Sequence, residues 1–292
     1  MAANSSTGSA GRMQIARILR GLLGRAGLTQ TEVAKEAGVS VGTVNRYMAW
    51  QTGGKLTIPT MRAIADACGA TSAERDALVQ LVRGLDTGWW MSHPAVAEWL
   101  DPLMAFEDSA DFENVYANSL VPGLLQTERY ALAVSQAQET RAEPEVIRAE
   151  VDARIKRQAI LDRSPALHLW VVLDEAVLNR TVGDNSVMAE QIDHLNTMSY
   201  RPNVDIQILP FSGGAHAAGS GGHFLILGRE GQPAPLDNLT VVYLELHRRG
   251  LYLDSPDDAR TYETMFDYLR SQADDSTSSR DLLRAARKRF TS

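Results

Sequence analysis

Cysteine is nearly absent: Cys68 is the only one in 292 residues. That excludes an intrachain disulfide and leaves a small apolar side chain expected to be buried, in a reducing compartment. Long apolar runs are missing as well. No stretch approaches the roughly 18 residues that read as a membrane span, and the opening MAANSSTGSAG lacks the apolar core of a secretion signal. The expectation is a cytoplasmic protein with a disordered tail over residues 1–11 and no membrane partner.

Positive charge is short overall, with 29 Lys and Arg against 36 Asp and Glu and a net charge of -7. Taken alone, that balance argues against nucleic acid, but it is not evenly spread. Residues 1–85 hold ten Lys/Arg and five Asp/Glu, a net +5, so the remainder carries -12. One end of the chain is basic and the rest is acidic. With 44% hydrophobic residues there is enough apolar material for a sizeable core and for two domains.

In the basic part, Ile15, Ile18, Leu19, Leu22 and Leu23 recur at helical spacing, predicting an amphipathic helix over 13–25 with Arg12, Arg17, Arg20 and Arg25 on its polar side. Thr29 and Glu32 form a T-x-x-E capping box for a second helix, in which Val33, Ala34 and Ala37 point inward. Gly38 suits the left-handed close of that helix, and Ser40 is a good N-cap for the next. Only a short turn separates the two, so their axes must cross steeply. Small Ala34 and Ala37 permit close approach, and Val39, Val44 and Tyr47 fill the angle.

Ser40, Val41, Gly42, Thr43, Asn45 and Arg46 are then left on the outer side of the second helix of this pair. A major groove about 12 Å wide admits one helix, small residues near its N-terminus let the backbone approach base edges, and Asn and Arg supply donors. The hairpin reads as a DNA-binding helix-turn-helix. The plainer alternative is an αα-hairpin within a helical bundle, and Val41 and Gly42 are weaker base readers than Gln or Arg. Thr57, with Pro59 in the first turn, opens a fourth helix, and TSAERDALVQLVRGL a fifth.

The stretch LTQTEVAKEAGVSVGTVNRY resembles the lambda-repressor-like, or XRE, regulators. That resemblance implies an all-α five-helix domain over residues 12–85. It also implies a phosphate contact from Gln30, at the start of the motif's first helix, and base reading by Val41, Gly42, Thr43, Asn45 and Arg46; Thr31 and Ser40 join them as DNA-binding candidates. The family often continues with an acidic residue and a small turn. Here YMAWQTGG stands instead, so Trp50, Gln51 and Thr52 are expected to alter the backbone contacts.

DTGWWMSHPAVAEWLDPL, with Trp89, Trp90 and Trp99, reads as a packed joint over 86–104. Beyond it a helix is expected near 104–117 and a long one from Glu143 to Asp162, the latter with Val146, Ile147, Val151, Ile155 and Ile160 as its apolar positions. Strand-like runs LHLWVVL, VDIQILP, HFLILG and VVYLEL follow, with a helical stretch NSVMAEQIDHLNTMS after the first of them. This is an α+β domain with a mixed sheet over 105–292. Segments such as SLVPGLLQTERYA, NVDIQILPFSGGAH and LYLDSPDDARTYETMFDYLR resemble, across nearly all of that domain, a family fused behind XRE motifs in WhiJ-like, antitoxin-like actinobacterial regulators. The resemblance implies a regulatory role and a small partner protein encoded alongside, and it carries no catalytic residue with it.

Sharper chemistry finds little support. The Gly-rich PFSGGAHAAGSGGHF lacks the Lys-Ser/Thr of a phosphate-binding loop and reads as a hairpin or crossover loop. His216 and His223 have no local third ligand, so no metal is expected. Asp174 and Glu175 read as a strand exit capping a helix. Glu245 and His247 share a strand face, and with His216 and His223 they are candidates for a ligand pocket. The C-terminal SSRDLLRAARKRF is an amphipathic helix, read as docked.

The sequence therefore predicts a DNA-binding transcription regulator, with no enzyme activity and no cofactor. It would bind a double-stranded operator as a homodimer and use its second domain for dimerisation and for partner or effector control. Two alternatives stand beside it: a small-molecule-responsive regulator with a ligand pocket in the second domain, and an enzyme fused to a DNA-targeting module.

Overall fold

The computed structural model describes residues 9–50, 54–85, 89–93, 96, 100–219, 221–229, 240–246 and 249–290. The chain divides into two compact units, one up to Ser109 and one over Ala110–Gly228 and Thr240–Ser292. Gln51, Thr52, Trp99 and His247 lie outside the described residues.

The first unit is helical: α1 Ser9–Ala26, α2 Gln30–Glu36, α3 Val41–Met48, α4 Ile58–Ala67, α5 Ser72–Arg83 and α6 Asp101–Ser109. Helix α1 starts four residues before its apolar periodicity and packs on α3, α5 and α6. Ile15, Leu19, Leu22, Val33, Val44, Met61, Ile64 and Leu78 are fully or almost fully buried in one core, with Cys68 among them. Burial pushes the Cys68 thiol pKa up. Capping boxes close the starts of α2 (Thr29, Glu32) and α5 (Thr71, Glu74), satisfying amides that would otherwise lack acceptors.

Two expectations about this unit need correction. Arg12, placed by periodicity on the polar side of α1, is 4% exposed and donates to the Gly54 carbonyl. Trp50, expected near the DNA backbone, is buried edge-on to Phe106 with ring centroids 6.1 Å apart. A large indole gains more from the core than a surface site returns.

The second unit is built on a six-stranded mixed sheet of order β3-β2-β1-β4-β5-β6, formed by β1 Phe112–Ala117, β2 His168–Asp174, β3 Val204–Leu209, β4 Phe224–Gly228, β5 Thr240–Leu246 and β6 Arg249–Leu253. β1, β2 and β3 run parallel, whereas β4 pairs antiparallel with both β1 and β5, and β5 pairs antiparallel with β6. Helices α7 Glu128–Gln138 and α8 Pro144–Arg157 connect β1 to β2, and α9 Glu175–Asn179 with α10 Asn185–Met198 connects β2 to β3. α11 Pro256–Gln272 lays Phe266 and Leu269 on the face bearing Tyr116, Val172, Ile226 and Val242. The molecule is thus an all-α unit followed by an α+β unit.

The helix expected near 104–117 is instead α6 followed by β1. FENVYA has no clear alternation in its burial, because a central strand covered on both faces buries consecutive residues. Helix α8 ends at Arg157 and continues as a 3-10 turn to Leu161, and Val146, expected inward, is 49% exposed.

α12 Ser276–Lys288 docks on α10 and β3. Arg284 is exposed, whereas Arg280 and Arg287 are half-buried and engaged. Arg280 donates to Ser199 Oγ (3.0 Å) and stacks on the Tyr200 ring, and Arg287 pairs with Asp193 at 2.7 Å. At the outer edge of β3, Ile208 donates to Ser279 Oγ and accepts from the Asp274 amide, closing that sheet edge.

Candidate nucleic-acid interface

The α2–α3 hairpin is set by its caps. Gly38 adopts φ +65, and the Val39 amide donates back to the Ala34 carbonyl at 3.0 Å, the six-to-one bond of a helix closed by a left-handed glycine. Ser40 then starts α3 at once, its Oγ accepting from the Thr43 amide at 3.1 Å. Val44 and Tyr47 are buried in the angle between the helices, and Val39 is half-buried beside them.

What remains outside is narrower than the sequence face. Val41, Gly42 and Asn45 are exposed, as are Ser40 and Thr31, while Gln30, Thr43 and Arg46 are half-buried. Ser40 Oγ, Thr43 Oγ1 and the Arg46 guanidinium form a chain along one side of α3, with Ser40 to Thr43 at 2.9 Å and Arg46 Nη2 donating to Thr43 Oγ1 at 3.2 Å. Arg46 is therefore held sideways, not projected outward. Its Cδ lies 2.9 Å from where a Cβ on Gly54 would sit, and Gly54 has φ +122, so only glycine fits there without strain.

Sequence reasoning missed this anchorage. Arg12 from α1 and Arg46 from α3 converge on Gly54. Tyr47 adds a second tie, its Oη accepting from the Thr57 amide at 2.7 Å. The glycine pair in QTGGK was the available signal, since a glycine after a helix marks a conformation other residues resist.

The α2 N-terminus carries its own negative charge. Glu32 Oε2 accepts from both the Thr29 amide and hydroxyl at 2.8 Å, and these bonds hold its carboxyl pKa below the ordinary value. A phosphate at this end would be met by the Gln30 amide side chain and the Thr31 hydroxyl, with Lys35 exposed one turn further on.

In the second unit, the candidate ligand residues separate. Tyr116, at the end of β1, lies 3.3 Å from His216 Nε2, which is 3.9 Å from Asp174 Oδ2. Burial, then the Asp174 charge, pushes the Tyr116 phenol up to about 12. Asp174 caps α9 by accepting from the Ala176 amide at 2.8 Å, the role its place at a strand exit suggested. His223 precedes Phe224 and so falls on the opposite face from Tyr116, the face of Val241, Tyr243 and Glu245. His216 therefore does not join His223 and Glu245. The loop between β3 and β4 is a crossover from the parallel to the antiparallel part of the sheet. Among the described residues, no group of three His, Cys, Asp or Glu side chains is placed to hold a metal ion, and no helix is long and apolar enough to cross a membrane.

Comparison with known proteins finds two family models on the chain. A helix-turn-helix domain model matches residues 14–78, and a model described as a domain of unknown function, DUF5753, matches residues 100–285. No curated protein and no solved structure matches the chain. The first match covers α2 and α3 with their flanking helices, and the second covers the whole sheet and more than half of the sequence, so the chain belongs to the DUF5753 family and carries a helix-turn-helix domain ahead of it.

Proposed function

We propose that this protein is a sequence-specific transcription regulator that reads an operator with α3. The observation carrying the reading is the exposed patch of Val41, Gly42 and Asn45 at the start of a capped helix, within a segment matched as a helix-turn-helix domain. A small patch admits the groove wall, Asn45 supplies paired hydrogen-bonding groups suited to adenine, and the Val41 side chain suits a thymine methyl. Gln30, Thr31, Ser40, Thr43 and Arg46 position the helix on the backbone. The net +5 of residues 1–85 favours the phosphates even though the whole chain is acidic.

One such module spans few base pairs, so the reading includes a homodimer on a two-fold site. The acidic second unit then governs pairing and contact with a protein partner, in the manner of WhiJ-like, antitoxin-like regulators of the XRE class. Its negative charge favours a small basic partner by steering. The setting is cytoplasmic, and the reading includes no reaction and no cofactor.

Selection of bound duplexes from a random pool, followed by footprinting, tests it. A two-fold-related consensus whose affinity falls steeply with salt is the expected result. Recovery of no consensus would reject sequence-specific reading.

A further inference from the structure

The sheet changes character at β1. Its neighbour on one side, β2, is parallel and its neighbour on the other, β4, is antiparallel. The chain leaves the carboxyl end of β1 toward α7 and α8 and returns from β3 to β4 on the other side, so two connections part at that end. Open α/β sheets bind ligands where connections diverge in this way.

The residues gathered there are unusual. Arg154 and Arg157 stand three apart on α8, on one side of the helix and half-buried. Arg154 Nη1 donates to the neutral amide oxygen of Gln126 at 2.8 Å, and the carboxylates acting on it are Glu245 and Glu150. Two like charges one turn apart on α8 are thus held half-buried, and burial, then the Arg157 charge, lowers the Arg154 pKa. The Arg157 guanidinium lies over Gly123, its Nη2 3.4 Å from where a Cβ would be. Gln158 Nε2 bonds the carbonyls of Gly123 (2.9 Å) and Gln126 (2.8 Å), fixing the turn against which both guanidinium groups rest. His223 bonds the Tyr116 backbone, feels the Arg157 charge, and is kept neutral down to about 4 chiefly by burial.

We propose that the carboxyl end of β1 binds a small molecule through an oxyanion group, a carboxylate or a phosphate, seated on Arg154 and Arg157 and bordered by His223. Two pre-positioned planar donors match such a group. Glu245 is exposed at the border and acts as the internal counter-charge that an incoming anion must displace or tolerate.

Full-length protein without DNA is titrated with inorganic phosphate and, in a parallel arm, with succinate. Sodium chloride at matched ionic strength is the control, and thermal midpoint and calorimetry are the readouts. At least one of the two anions should bind saturably, and the arm that responds identifies the class. Arg157→Gln, checked for folding by circular dichroism, should weaken that binding about tenfold or more. Glu245→Gln should strengthen it severalfold, an effect that a purely structural arginine cluster would not produce and that stays measurable if the arginine variant does not fold. Neither anion exceeding chloride, undiminished binding by folded Arg157→Gln, or unchanged binding by Glu245→Gln would overturn the proposal. None of these outcomes bears on operator reading by α3.

Discussion

Arg25 and Glu74 lie 49 residues apart in sequence and form a two-pronged ion pair, Nη1 to Oε1 at 2.8 Å and Nη2 to Oε2 at 2.9 Å, that joins the end of α1 to the start of α5. The same carboxylate accepts from the Thr71 amide at 2.8 Å as part of a capping box. One side chain therefore closes a helix start and clamps two helices of the helix-turn-helix unit.

The pair makes stability depend on acid pH. Hydrogen bonding from Arg25, then from the Thr71 amide, lowers the Glu74 pKa from 4.5 to about 2. A folded-state pKa below the unfolded one contributes stability that is complete above about pH 4.5 and lost as pH falls toward 2. The Arg25 side chain is exposed although the Glu74 side chain is mostly covered, so the effect is modest and partly screened by salt. Thermal midpoints of wild type and Glu74→Gln should differ at pH 6 and converge as pH approaches 2.

Thr29 closes α2 through both bonds of its capping box. Thr29→Ala removes the hydroxyl that receives the Glu32 amide and should cost about 1 kcal/mol of stability. Thr29→Ser keeps the oxygen and should lose far less. Urea denaturation of the three proteins, followed through helical circular dichroism, checks the order.

Gly54 is a junction that its neighbours make irreplaceable. With φ +122 and the Arg46 side chain 2.9 Å from a would-be Cβ, Gly54→Ala must either strain its backbone or push Arg46 off Thr43. A loss of about 1–3 kcal/mol is expected. Gly24→Ala, within α1 and with open space around it, should be neutral or slightly stabilising. Thermal unfolding of both variants separates the two cases.

Local signals in the sequence were enough for the helix-turn-helix. Capping boxes at Thr29 and Thr71, the left-handed Gly38, and apolar spacing from Ile15 to Leu22 all act within a few residues. The strand runs at His168, Val204, Phe224 and Thr240 were legible for the same reason, each being rich in β-branched or aromatic residues. β1 was not, because Phe112–Ala117 owes its extended form to ladders with β2 and β4, partners more than 50 residues away. β6 likewise depends on its ladder with β5. The inward turn of Arg12, Trp50 and Arg46 depends on Gly54 and Phe106, which no periodicity links to them. Arg154 and Arg157 read as ordinary polar positions of an amphipathic helix until the fold brings Gly123, His223 and Glu245 to the same end of β1.

The α3 side chains differ in exposure and bonding, so their proposed contributions can be told apart by measurement. Asn45 is exposed and free of the Ser40–Thr43–Arg46 chain, whereas Arg46 spends one guanidinium nitrogen on Thr43 and packs its stem on Gly54. Asn45→Ala should therefore leave thermal stability nearly unchanged while costing about 1–3 kcal/mol of discrimination at one operator base pair. Arg46→Ala should lower stability and affinity together, and if its remaining donors serve the DNA backbone as proposed, the affinity loss should be similar across operator variants with a shallower salt dependence. Gly42→Glu has open space around it apart from Ser40 Oγ at 3.8 Å, so it should fold normally yet bind DNA poorly, its bulk and negative charge meeting the groove. Fluorescence anisotropy on the selected operator and on single-base variants, at two salt concentrations, distinguishes these patterns. If Asn45→Ala retained full discrimination at every position while Gly42→Glu bound normally, α3 would not be the reading element and another face of the first unit would have to contact the DNA.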